Sequence, residues 1–178
     1  YFIPQNISLI NNVKIIKIKR KGKFIIFYLQ NKHSIVFHLG MSGRLRLYKK
    51  PDLKKNKHDH VLLETNNRRY LIFNDPRKFG FIDYDLYQII NSRKYFVSLG
   101  VDALSNTLNG PYLFFKISKS IVPIKQILLN QTIIAGIGNI YASEILFNAK
   151  ISPLRRGNDL KLHHCNKISN SSKTILKK

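Results

Sequence analysis

Cysteine is almost missing from this chain, tryptophan is missing altogether, and acidic residues are scarce. The single cysteine, Cys165, excludes an internal disulfide and any four-cysteine zinc site within these 178 residues, and it points to a reducing compartment. No apolar run approaches the length of a membrane-spanning helix, and the N-terminal residues lack the pattern of a signal peptide. The expectation is a soluble, cytoplasmic protein with no membrane partner. An apolar content of 44% supplies a real core for one domain or two modest ones.

The shortage of acid has its own consequence. Nine Asp and Glu stand against 31 Lys and Arg, so the formal net charge of +22 creates a field that draws in polyanions. Nucleic acid is the leading partner. One competitor is coding bias, since an A·T-rich genome enriches Ile, Asn and Lys without any functional demand. An anionic membrane surface is a weaker one, because the basic residues fall mostly in strand-like and loop-like segments instead of along one amphipathic helix.

Along the chain, Val13 to Leu29 reads as two extended segments hinged near Gly22, the second (Phe24 to Leu29) apolar on both faces. A turn at Asn31 to His33 leads to a strand over Ser34 to Leu39, and Gly40 to Gly43 breaks it before Arg44 to Tyr48. A basic loop, Lys49 to Lys57, precedes hairpin language: His60 to Thr65, a turn at Asn66-Asn67, and Arg68 to Phe73. After a break at Asn74 to Gly80, Phe81 to Tyr84 is one more strand. Short, closely connected strands imply antiparallel pairing.

Helical spacing begins after Leu86. Leu108 to Pro111 marks the boundary between a β-rich part, 1–108, and a helical part, 109–178. Pro111 suits a first helical turn, and helices are expected over Tyr112 to Ser118 and Pro123 to Asn130. In Ile133 to Phe147 the pair Gly136 and Gly138 introduces a helix at Asn139, with Tyr141, Ala142, Ile145, Leu146 and Ala149 at amphipathic spacing. Such a turn leaves amide hydrogens and the positive helix end free for an anion. Ser152-Pro153 is expected to close that helix, Glu144 to sit in its first turn, and Asn158 or Asp159 to cap a last helix. The fold class is therefore α+β.

Three glycine-bearing motifs stand in order: His38-Leu39-Gly40-Met41-Ser42-Gly43, Asp75-Pro76-Arg77-Lys78-Phe79-Gly80 and Gly136-Ile137-Gly138-Asn139-Ile140-Tyr141. With Lys57 to His60, Leu99-Gly100 and Ile124-Lys125, they resemble the formamidopyrimidine-DNA glycosylase family over nearly the whole chain. The resemblance implies a partial antiparallel β-sandwich followed by a helix-two-turn-helix domain, with double-stranded DNA containing oxidised bases in the cleft between them and the protein acting as a monomer. It implies base-excision repair of oxidised purines by a bifunctional glycosylase and abasic-site lyase.

Residue by residue, the resemblance implies that Asn139 and Lys125 hold phosphates, that His58 contacts DNA, and that Lys23 works near the reacting sugar as phosphate contact and proton donor. It makes Met41, Arg77 and Phe79 the void-filling residues. Each type suits that role, because a base taken out of the stack leaves a hole that an unbranched apolar plug, a hydrogen-bonding fork and an aromatic wedge can fill. Each residue also has a plain structural alternative, as core filler, surface charge or strand anchor. His58-Asp59-His60 and His163-His164-Cys165 are weak metal candidates, the latter on what reads as an exposed helix.

The sequence also departs from the family. The family's nucleophile, an N-terminal proline followed by glutamate, is not among these residues, and Pro4 is no substitute because an internal proline has no free amine. The family's zinc ribbon is absent as well, so no cofactor is expected in this chain and a structural zinc is expected in a C-terminal ribbon outside it. The chain reads as a fragment lacking both ends, DNA-binding but inactive by itself. Ile121 stands where a basic residue is common, leaving Lys119 as the nearest DNA-binding alternative, and Lys78 replaces a frequent arginine without its bidentate geometry. Two other readings stay open: an endonuclease VIII-like enzyme for oxidised pyrimidines, and a non-catalytic DNA-binding module.

Overall fold

A computed structural model describes residues 3–49 and 56–177. Most of the basic loop between Lys49 and Lys57 lies outside the described residues. The chain forms two compact units, one from the residues up to Arg20 with Phe24–Asn91, the other from Lys21–Lys23 with the residues from Ser92 onward.

The first unit holds two antiparallel sheets. One has the order β1 (Ile15–Lys21), β2 (Phe24–Leu29), β3 (His33–His38), β7 (Phe81–Leu86), and the other β4 (Arg44–Lys49), β6 (Arg69–Asn74), β5 (Asp59–Glu64). β2 and β3 pair from Phe24 opposite His38 to Tyr28 opposite Ser34, and β4 pairs with β6 from Arg44 opposite Asn74 to Lys49 opposite Arg69. Phe27, Ile35, Phe37 and Ile82 from one sheet and Phe73 from the other form a single buried cluster, with Leu45, Val61 and Leu71 packed against it. The sheets therefore face each other as a sandwich, because apolar residues from both share one core. β1, at the edge, is exposed along its length. β7 runs two residues further than expected and passes into α1 (Tyr87–Ser92).

The second unit is mainly helical. It contains α2 (Lys94–Val97), α3 (Gly110–Ile117), α4 (Ile124–Leu129), α5 (Asn139–Ala149) and α6 (Leu162–Leu176). A short parallel pair, β8 (Val101–Asp102) with β9 (Ile134–Ala135), joins its start to the glycine turn. Leu113, Ile117, Ile127, Leu128, Ile145, Leu146, Cys165 and Ile168 share its core. The compact units part at residue 91, while the Leu108 to Pro111 punctuation opens α3: the Asn109 side chain accepts from the Tyr112 amide at 2.8 Å, and Pro111 follows at the first turn.

Four local expectations change. α5 stops at Ala149, before Ser152-Pro153, because Lys150 adopts φ 56° and the Ile151 amide bonds back to Leu146 at 3.0 Å. Glu144 lies beyond the first turn of α5, which carries no acidic residue. Asn158 and Asp159 form a 3₁₀ turn, and α6 is capped instead by reciprocal bonds between Lys161 and His164, the Lys161 amide donating to His164 Nδ1 at 3.0 Å. Cys165 faces the core and is fully buried.

Among the described residues, no helix is long and apolar enough to cross a membrane, and no group of three His, Cys, Asp or Glu is placed to hold a metal ion.

Candidate nucleic-acid interface

On the first unit, the β3–β4 loop carries Met41 and the β6–β7 loop carries Arg77 and Phe79. Met41 is 75% exposed and Phe79 56%, so neither is the core filler or strand anchor that its type alone allows. Their side chains are joined through Arg77, whose Nη2 donates to Met41 Sδ at 3.2 Å and whose guanidinium lies 4.7 Å from the Phe79 ring centre. A φ of 56° at Lys78 bends the chain between Arg77 and Phe79. An open cleft of about 350 Å³, lined by Met41, Ser42, Arg44, Arg46 and Pro76 among others, borders the group.

The two loops lie backbone to backbone. Gly40 has φ +60°, and a Cβ there would sit 2.6 Å from the Phe79 carbonyl carbon, so only glycine allows the approach. Asp75 is fully buried between the loops, accepting from Ser42 Oγ at 2.5 Å and from the Gly80 amide at 2.7 Å. Burial alone would raise its carboxyl, but hydrogen bonds from Ser42, Gly80 and Arg77 and the field of His60 together hold it below the usual carboxylate value.

His58 is half-buried in the turn before β5, and its carbonyl accepts from the Asp75 amide at 3.0 Å. His60 Nε2 lies 2.9 Å from the Asp75 carbonyl oxygen. Asp59 is engaged by the Asn56 amide and the Asn74 side chain. This histidine-rich stretch is therefore tied into the second motif as structure.

On the second unit, the turn between β1 and β2 presents Lys23. The Gly22 amide donates to Asp102 Oδ2 at 3.3 Å, the Leu104 amide donates to Asp102 Oδ1 at 2.9 Å, and Lys21 lies over the Phe96 ring at 4.6 Å. Lys23 Nζ then stands 3.8 Å from where Gly138 would carry a Cβ. Gly138 is the N-cap of α5 and Asn139 its exposed first residue; no side chain caps that end, so the first-turn amides point outward. Desolvation lowers the Lys23 pKa. An ammonium and an uncapped helix N-terminus converging on one point favour a singly or doubly charged oxyanion.

Sequence reasoning missed the parts that hold this turn. Gln131 staples it, its Oε1 accepting from the Gly136 amide at 2.9 Å and its Nε2 donating to the Leu129 and Ile137 carbonyls at 2.8 and 3.0 Å. Asp102 and Asp75 escaped notice for the same reason: their partners are backbone amides and hydroxyls that no spacing rule predicts. The exposed Lys119 and half-buried Lys125 sit on the α3–α4 segment, which pairs with residues 153–158 through Ile124 to Arg155 at 2.8 Å and Asn158 to Ser120 at 2.8 Å. That pairing adds Arg155 and Arg156 to the same basic edge. The named residues are thus divided, Met41, His58, Arg77 and Phe79 on one unit and Lys23, Lys119, Lys125 and Asn139 on the other.

Residues 3–82 match the formamidopyrimidine-DNA glycosylase N-terminal domain, and residues 99–178 match the formamidopyrimidine-DNA glycosylase H2TH domain. A formamidopyrimidine-DNA glycosylase of Wolbachia sp. subsp. Brugia malayi (strain TRS) is 43% identical over 178 residues, covering 98% of this chain and 64% of its own length. One from Rickettsia bellii (strain OSU 85-389) is 39% identical, covering 94% and 60%. Among solved structures, Lactococcus lactis Fpg (MutM) bound to FAPY-dG-containing DNA superposes with a TM-score of 0.87 at 31% identity, over 96% of this chain and 63% of that one. MutM (Fpg) from Thermus thermophilus gives 0.85 at 32%, over 97% and 62%. The chain thus spans just under two thirds of the length of these relatives.

Proposed function

Because the chain belongs to the formamidopyrimidine-DNA glycosylase family, we propose that it is the DNA-gripping and base-probing part of a base-excision repair glycosylase acting on oxidised purines. The observation that carries this is the joined, exposed group Met41, Arg77 and Phe79, three side chains from two loops held in contact at the surface. Extruding a base leaves a gap and an orphaned partner. A thioether plug, an aromatic wedge and a guanidinium able to donate to cytosine meet both needs.

Lys23, Asn139 and the first turn of α5 take flanking phosphates, with Lys125, Lys119 and His58 as further backbone contacts. Such contacts fix register and read no sequence. In the whole protein, a secondary amine attacks the sugar C1′, the glycosidic bond breaks with departure of the base, and the resulting Schiff base undergoes elimination that cuts the strand. In this reading Lys23 holds the phosphate or gives it a proton as it leaves, and the desolvation that lowers its pKa makes that proton easier to release. The amine nucleophile and a structural zinc are assigned to the part of the relatives' length that these residues do not cover.

The test is equilibrium binding of the chain to three duplexes, undamaged, abasic and 8-oxoguanine-containing, across a salt series. The expected result is steep salt dependence for all three, with tighter binding to the abasic and damaged duplexes. Equal affinity for all three at every salt concentration would favour a non-catalytic DNA-binding module. A fourth duplex carrying thymine glycol, bound in preference to 8-oxoguanine, would move the reading to oxidised pyrimidines.

A further inference from the structure

We propose that Asp75 is the positioning residue that makes Met41, Arg77 and Phe79 one preorganised probe. This rests on the function proposed above. The two oxygens of its carboxylate serve different loops: Oδ1 takes the Ser42 hydroxyl at 2.5 Å and Oδ2 the Gly80 amide at 2.7 Å. Ser42 is the chain neighbour of Met41, and Gly80 that of Phe79. Ser42 Oγ also accepts from the Arg77 amide at 3.3 Å, so the roots of all three side chains meet at one carboxylate.

A buried carboxylate is costly unless fully hydrogen-bonded, and here its bonds to the Ser42 hydroxyl and the Gly80 amide hold the residues next to Met41 and Phe79, whose side chains are exposed. Packing does not account for that arrangement. Preorganisation does, because a probe that must fill a gap of fixed depth loses most of its effect when its parts move separately. The carboxyl stays ionised at neutral pH, which keeps both oxygens as acceptors.

The experiment uses the full chain and its Asp75→Asn, Ser42→Ala and Ser42→Thr variants. A duplex carrying an abasic site beside 2-aminopurine reports insertion of the probe as a fluorescence rise. Met41 is the only methionine, so methyl-labelled methionine gives one NMR signal that reports the order of the probe without DNA. Expected are a fluorescence rise smaller by roughly tenfold in Asp75→Asn and Ser42→Ala, recovery in Ser42→Thr, and a more mobile Met41 methyl in the two impaired variants. The salt slope for undamaged duplex stays at the wild-type value. If Asp75→Asn does not fold, the Ser42 pair decides. A rise and a methyl order retained by the impaired variants while their melting temperature falls would show a merely structural Asp75 and overturn the proposal. A wild-type chain with no fluorescence rise overturns the function proposed above, and this inference with it.

Discussion

Lys23 and Gly138 form an anion-seeking pair, the ammonium nitrogen 3.8 Å from the position of a Cβ on the glycine that caps α5. Two positive features side by side repel until an oxyanion lies between them. Lys23→Ala is therefore expected to reduce the slope of log K against log salt by about one, equally for damaged and undamaged duplex.

Gly138 separates fold from ligand. Its φ of −108° is open to any residue, and around its Cβ position the nearest atoms are the Lys23 Nζ and Cε at 3.8 and 3.9 Å. Gly138→Ala should change stability by no more than about 1 kcal/mol, a poorer N-cap offset by a stiffer unfolded chain. The added methyl nonetheless occupies the approach of a phosphate to the first-turn amides, so duplex affinity should fall about tenfold. Thermal melting alongside a binding titration checks both; unchanged affinity would remove the phosphate from this turn.

Asp102 carries Lys23 to that place by accepting from the Gly22 and Leu104 amides. Gly22 itself has φ +58° with Ala135 Cβ 3.3 Å from its Cβ position, so the turn has little room to find another seat. Asp102→Ala should reproduce the loss of salt slope expected for Lys23→Ala. Adding it to Lys23→Ala should then change binding by less than about 0.5 kcal/mol, the coupling expected when one residue acts through another. Additive losses would mean that Asp102 acts elsewhere.

In the proposed function, grip and readout divide between Asn139 and Arg77. Asn139→Ala should weaken damaged and undamaged duplex alike. Arg77→Ala should instead cost about 1–3 kcal/mol of preference for cytosine opposite the lesion, with little change against undamaged DNA. Competition binding with each of the four opposing bases makes the comparison, and identical profiles from the two variants would dissolve the division.

What was legible in the sequence is what repeats or punctuates. Phe24 to Leu29 declared a buried strand by being apolar on both faces, and the spacing from Tyr141 to Ala149 declared α5. The Met41 and Arg77 loops announced themselves through Gly40, Gly43 and Gly80. The parallel β8–β9 pair did not, because two residues per strand carry no period. Lys150 was invisible as a helix stop, since a left-handed lysine has no compositional signature. Asp75, Asp102 and Gln131 act through hydrogen bonds whose partners lie 33, 80 and 5 residues away, a geometry that only the folded chain creates.

His164 has the same character and makes the helical unit sensitive to acid. Its Nδ1 accepts the Lys161 amide at 3.0 Å, which requires an unprotonated nitrogen, and its Nε2 lies 3.3 Å from Arg155 Nη1. Burial lowers its pKa, and the charges of His163, Arg155, Lys167 and Lys161 lower it further. An imidazole with a folded pKa below its unfolded value of about 6.5 binds fewer protons folded than unfolded, so stability is full above that value and is lost as pH falls toward the folded pKa. His164→Gln keeps an acceptor at the same helix position without titrating. Its melting temperature should therefore fall less than that of the wild type between about pH 7 and pH 5, the window below the unfolded imidazole value. Parallel curves for the two proteins would exclude His164 as the acid-sensitive cap.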